Sequence, residues 1–324
     1  MRPSVRAAAS VLLLLLSAAA APAAGEPLPS PENPPPDAAS APSSRPAEEG
    51  GPGDAGDTGQ KDRKLRWRNT AAIGGIVLAV GAYGTQKWWN EEMDSRPSTR
   101  HEGWFGQGTY AGGADKFGHA YITYAGTRLL IPAFEALGND RSHAATLAAW
   151  TTFGVMTGVE AVDSFSKKWR FSYEDVICNA VGAGLALVME KHPAIDALVD
   201  FRLLYRQSDD ARAAGDFDPI GDYSGQTFLL AFKADGVPAL HDVPVLRYVE
   251  LLVGYGTRGY EPLPQGESDK QRRIYYGVGI NLSRLLGDTL FRGRLGGGNV
   301  QSATEMLLEL IQVPGTAALT YKRL

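Results

Sequence analysis

The chain has 324 residues, 44% of them hydrophobic, a formal net charge of −4 and one cysteine, Cys178. An acidic balance leaves no footprint for nucleic acid, which calls for a basic domain. A lone cysteine excludes an internal disulfide and a Cys-rich metal site.

Residues 1–24 read as a secretory signal. Arg2 and Arg6 precede an apolar run from Ala7 to Ala20, and Ala21-Pro22-Ala23 gives a small-residue cleavage pattern. No cysteine follows the run, so a lipidated N-terminal cysteine is not expected. The mature protein is expected in the cell envelope, periplasmic or membrane-associated. Residues 25–60, rich in Pro, Ala, Gly, Ser and acid, read as a disordered linker that buries too little apolar surface to offset ordering. The basic cluster Lys61, Arg63, Lys64, Arg66 and Arg68 surrounds Trp67 and leads into an apolar segment at 69–89 that ends in Trp88-Trp89. Its length suits a membrane span, but a basic flank on the outer side opposes the positive-inside tendency. An interfacial or bundle-packed helix is the equal alternative.

Helical patterns follow at 115–137, 141–162 and 172–191. With 69–89 they make a bundle of about four helices within a 61–205 unit. The Gly154-xxx-Gly158 spacing would allow a neighbouring helix to approach closely. Ser172-xx-Asp175 is a capping-box pattern. Residues 206–324 form a smaller region with strands at 223–232, 249–255, 273–282 and 315–321 and a short helix at 302–312 that turns Met306, Leu307, Leu310 and Ile311 inward. In the third strand Ile274, Tyr276, Val278, Ile280 and Leu282 alternate onto one face, and a loop at 262–269 precedes it. The fold class is mainly α with a C-terminal β-containing region, α+β overall.

The chemistry concentrates in the bundle. Asp115 and His119 share one helix face, as do Glu160 and Asp163 and, again, Asp175 and Asn179. In an antiparallel bundle with short connections, the start of the first of these helices, the end of the second and the start of the third lie at one end. Asp115, Lys116, His119, Glu160, Asp163, Ser172, Asp175 and Asn179 therefore form one polar cluster. Three readings stay open. The first is a buried hydrogen-bonded network that locks the bundle, with Asp115 and Ser172 capping helices. The second is a divalent-cation site on His119, Glu160, Asp163 and Asp175. The third is acid–base or nucleophilic catalysis by the same four residues. Lys116 is read first as a solvated end-of-helix lysine, with neutralisation of one carboxylate or contact with an anionic headgroup as the alternatives. Trp169 and Arg170 are read as loop packing and Cys178 as a small buried hydrophobe. Neighbouring carboxylates cannot all ionise cheaply. Either a cation binds, a carboxylate keeps its proton, or His119 pairs with a carboxylate, and the last is expected. The zinc-helix, nucleophile-elbow and phosphate-loop signatures are absent.

The order Asp115-Lys116-x-Gly118-His119, Glu160-xx-Asp163, then Trp169-x-Phe171-Ser172-xx-Asp175-xxx-Asn179-xx-Gly182 resembles the YfiM-like periplasmic lipoproteins over about 100–205. It is similar, more distantly, to the VanZ-like membrane proteins. The chain departs from the first family in lacking the lipidated cysteine, and from the second in having Asp163 where the pattern has glutamine. The resemblance implies an envelope location and a polar bundle site, and supplies no reaction. The leading expectation is a structural, interaction or lipid-contacting envelope module, with membrane lipid or another envelope protein as partner and no required cofactor. The alternative is an envelope enzyme, metal-assisted or not, acting on a lipid or cell-wall precursor through the cluster.

Overall fold

Helix α1 (Asp54–Lys87) begins inside the stretch read as linker and runs unbroken through the basic cluster and the apolar segment. The computed structural model describes residues 54–90, 92–215, 217–260, 269–291 and 298–324. The signal, most of the linker and nearly all of the 262–269 loop lie outside the described residues. Among the described residues, no helix is long and apolar enough to cross a membrane. The charged first half of α1 and its interspersed glycines explain why, and the packed alternative for 69–89 is the one observed. Ala72, Ile73 and Ile76 pack on a core of Leu130, Ile131, Phe134, Ala144 and Ala148, while Trp67 and Leu78 remain exposed.

Helices α2 (Ala114–Ala136), α3 (Arg141–Asp163) and α4 (Tyr173–Lys191) complete the bundle. Asp140 caps α3 by accepting from the His143 N–H, and Ser172 caps α4 by accepting from the Asp175 N–H. Reciprocal amide bonds between Asn69 and Asn139, 2.8 and 2.9 Å, tie α1 to the α2–α3 turn. The close helix approach is elsewhere: Gly154 and Gly158 face open space, whereas a Cβ on Gly182 would stand 2.0 Å from the Ala120 carbonyl oxygen. Gly182 is thus what lets α4 lie against α2.

After α5 (Pro193–Leu198), five strands form an antiparallel meander: β1 (Val199–Tyr205), β2 (Gln226–Lys233), β3 (Val249–Arg258), β4 (Gln271–Ile280) and β5 (Ala317–Arg323). Helix α6 (Asp209–Ala214) lies between β1 and β2, and α7 (Leu282–Thr289) and α8 (Asn299–Leu310) lie between β4 and β5. Leu282, expected at a strand end, instead opens α7 behind the Asn281 cap, which accepts from the Arg284 N–H. Ile311, expected inward, is 40% exposed. β1 was not expected as a strand, because it carries Asp200 and Arg202 at alternate positions.

Those charges occupy the buried sheet face. Arg202 meets Asp200, Glu250 and the Gln312 amide, and Lys233 closes the group on Asp200 at 2.6 Å. Leu229 and Leu252 fill the rest of that face. On the opposite face, Phe201 and Phe228 pack against Tyr121 of α2, and Phe117 stacks on Phe228 and Tyr255. Further along, that same face is uncovered. The residues expected to share one face in β4 do share it, yet Tyr276 and Val278 are about half exposed. Arg202→Ala leaves Asp200 and Glu250 buried without their guanidinium and is expected to cost about 3–5 kcal/mol, measured by urea denaturation.

Candidate functional site

Gly113, at φ 85°, turns the chain into α2, so Asp115 and Lys116 fall in its buried first turn. Asp115 is not a helix cap, because the capping position belongs to Gly113 and no side chain bonds there. Nor is Lys116 solvated: it is 2% exposed. Its ammonium lies 2.6 Å from Glu102, 2.7 Å from Asp115 and 2.9 Å from Asp175. Burial works against that charge, but the three carboxylates hold the Lys116 pKa well above the ordinary lysine value. The lysine thereby joins the segment before α2, α2 itself and α4.

One turn further along α2, His119 faces the other half of the cluster. Its Nε2 is 3.6 Å from Glu160 Oε1 and 3.9 Å from Asp175 Oδ1, both beyond hydrogen-bond distance. The expected His119–carboxylate contact is therefore a loose one. Nδ1 lies 3.2 Å from Asn179 Oδ1, which is also 3.0 Å from the Thr123 hydroxyl. Glu160 Oε2 accepts from the Ser172 N–H at 3.2 Å. Asp163 stands at the rim and accepts from the Trp89 indole at 2.6 Å. Asp115 Oδ1 and Asn179 Nδ2 are buried without a hydrogen-bond partner.

The ionisation pattern follows from burial. Glu160 is pushed from 4.5 to about 9 by burial and then by the charges of Asp175 and Asp163. Burial also lifts Asp163, to about 6, against the Trp89 hydrogen bond. Asp115 is raised well above its ordinary value by burial, in spite of Lys116. Asp175 goes the other way: burial would raise it, but His119, Lys116 and the Ser172 hydroxyl together lower it. Asp175 thus carries the negative charge while Glu160 keeps its proton. Burial likewise pushes the Cys178 thiol to about 12, as suits an inert side chain.

Two acids were missed. Glu102 lies in an aperiodic connection and carried no spacing signal. Glu174 is fully buried, pairs with His101 at 2.6 Å and accepts from the Gly103 N–H. Its place in the first turn of a helix was a usable signal. Above the cluster opens a cavity of about 230 Å³, lined by His119, Glu160, Asp163 and Asp175 at its polar end and by apolar groups such as Ile122, Met156, Val159 and Phe228. Trp169 and Arg170, read as loop packing, line it too. Trp169 also packs edge-on against Tyr110 and donates to the Trp88 carbonyl at 2.9 Å.

Residues 101–191, which carry the cluster, match the model of a family described as "Predicted periplasmic lipoprotein (DUF2279)". That description agrees with the expected cell-envelope location. No curated protein and no solved structure matches the chain.

Because Glu160 binds a proton between pH 4.5 and about 9 in the folded chain and not in the unfolded one, its contribution to stability declines across that window. In the presence of a chelator, Glu160→Gln, which mimics the protonated acid, is expected to flatten the fall in Tm from pH 5 to pH 9 relative to wild type. Parallel melts across that range check it, and identical slopes would refute the assignment.

Proposed function

We propose that the protein is a lipid-contacting envelope module whose sheet rests against the membrane surface. One observation carries this reading. Two cross-strand rows, Leu230–Val253–Tyr276 and Phe232–Leu251–Val278, lie on the sheet face that α2 leaves uncovered. Each of these six side chains is between 38% and 60% exposed. A contiguous apolar patch of this kind marks an interaction surface, not scattered surface hydrophobes.

Charge favours lipid as the occupant. The basic run from Lys61 to Arg68 lies on α1, and Arg68 donates to the Leu137 carbonyl at the end of α2 remote from the polar cluster. Basic groups of this kind attract anionic headgroups, and the exposed Trp67 among them suits the headgroup level. The motif order shared with the YfiM-like lipoproteins supports an envelope role at a membrane.

Flotation with phosphatidylglycerol-containing vesicles tests the reading. Wild type is expected to float and to be released by carbonate, and Leu251→Ser with Val278→Ser to lower the floating fraction at least tenfold while the circular dichroism spectrum is kept. Wild-type protein that stays at the bottom of the gradient with anionic and neutral vesicles alike would overturn it. The cavity beside His119 favours a second reading, an envelope enzyme acting on a lipid or cell-wall precursor. Under it, His119→Gln would abolish turnover and leave vesicle binding intact.

A further inference from the structure

The cluster divides into two acidic halves, and only one has its cation. In the lower half, Glu102, Asp115 and Asp175 surround the Lys116 ammonium. In the upper half, His119, Glu160 and Asp175 present one ligand atom each, all within 4.8 Å of one another, and Asp175 is shared between the halves, its Oδ1 lying 2.9 Å from Lys116. The distances from His119 are too long for hydrogen bonds and suit something else. Four-coordinate zinc, with ligands at about 2.1 Å, sets neighbouring ligand atoms about 3.4 Å apart. The observed separations from His119 Nε2 are 3.6 and 3.9 Å.

The surrounding bonds prepare each atom for that task. Asn179 Oδ1 stands 3.2 Å from His119 Nδ1, a contact that is a hydrogen bond in the tautomer with the proton on Nδ1, whose Nε2 lone pair is free for a metal. The Ser172 N–H holds Glu160 Oε2, so Oε1 is the oxygen turned to the gap. Asp175 Oδ1 is buried, with the Lys116 ammonium 2.9 Å away on one side and His119 Nε2 3.9 Å away on the other. All three residues line the cavity of about 230 Å³.

We infer that His119, Glu160 and Asp175 form a three-ligand site for a divalent cation of the zinc class, its open coordination position facing the cavity. One imidazole and two carboxylates favour Zn²⁺ over Mg²⁺ and Ca²⁺, which prefer all-oxygen sites with more ligands. Asn179 is a positioning residue here, since it touches the ring and not the metal. The site is independent of the membrane reading, because its ligands lie on α2, α3 and α4 and not on the sheet.

The test uses tag-free mature protein dialysed against chelator, checked by elemental analysis, then titrated with ZnCl₂ in calorimetry and thermal melts without lipid. One equivalent is expected to bind and to raise the Tm, whereas MgCl₂ at the same concentration does not. His119→Ala and Glu160→Gln abolish saturable binding, and Asn179→Leu weakens it roughly ten- to hundredfold. His143→Ala and His241→Ala leave it unchanged. Should a variant lose its fold by circular dichroism, the Co²⁺-loaded wild type still decides: visible bands of a four-coordinate ion are expected. Absence of saturable Zn²⁺ binding, binding retained in folded His119→Ala, or a Co²⁺ spectrum of the six-coordinate aquo ion would each overturn the assignment.

Discussion

The Lys116 ammonium in its carboxylate cage is the constraint on which the bundle end depends. A lysine 2% exposed is tolerable only because Glu102, Asp115 and Asp175 all lie within 2.9 Å of it. Those partners come from three separate pieces of chain, so the ion group fixes where the segment before α2 and the start of α4 must sit. With α4 fixed, Asp175 and Asn179 face His119, and Gly182 meets the Ala120 carbonyl. The cavity is a product of the same arrangement. Its polar wall takes in the caging carboxylates Glu102, Asp115 and Asp175 together with His119, Glu160 and Asp163.

Unequal access to Lys116 separates Asp175 from Glu160. Asp175 touches both halves and stays charged, since it has Lys116 on one side and the His119 ring on the other. Glu160 lacks the lysine and lies near Asp175 and Asp163, so burial and those charges keep its proton on to about pH 9. Of the three expected ways to relieve crowded carboxylates, the retained proton is the one Glu160 takes, and the lower half uses a fourth, the buried Lys116 ammonium. A metal ion would replace the proton on Glu160.

The bundle was legible in the sequence because its signals are local. Helix periodicity, the Ser172 cap and the i,i+4 pairs of Asp115 with His119 and Asp175 with Asn179 depend only on neighbours along the chain. Glu102 was illegible because nothing near it repeats, and its role is set by folding back on Lys116. For Lys116 the alternative of neutralising a carboxylate is the one observed: a lysine in a first helical turn is ordinarily solvated, and only tertiary contacts decide otherwise. The Gly154-xxx-Gly158 spacing allowed a close contact, yet both glycines look outward. A spacing motif says which residues share a helix face and not which face finds a neighbour. β1 was hidden by inverted polarity, since Asp200 and Arg202 point inward and are satisfied by Glu250, Lys233 and Gln312.

The same inversion gives the sheet its character. Where the interior of a sheet is held by an ion network, its apolar residues are released to the opposite face, and α2 covers only part of that face. Along β2 the change comes within one repeat: Phe228 is buried and lines the cavity, and Leu230 and Phe232, next on the same face, are each 38% exposed. Alternate residues on a strand are about 6.8 Å apart. Cavity wall and exposed patch are therefore neighbours on one strand face, with the buried Phe228 at the junction. The lipid-contacting and ligand-binding readings of this protein thus meet at a single strand, β2, and at one side chain on it, Phe228.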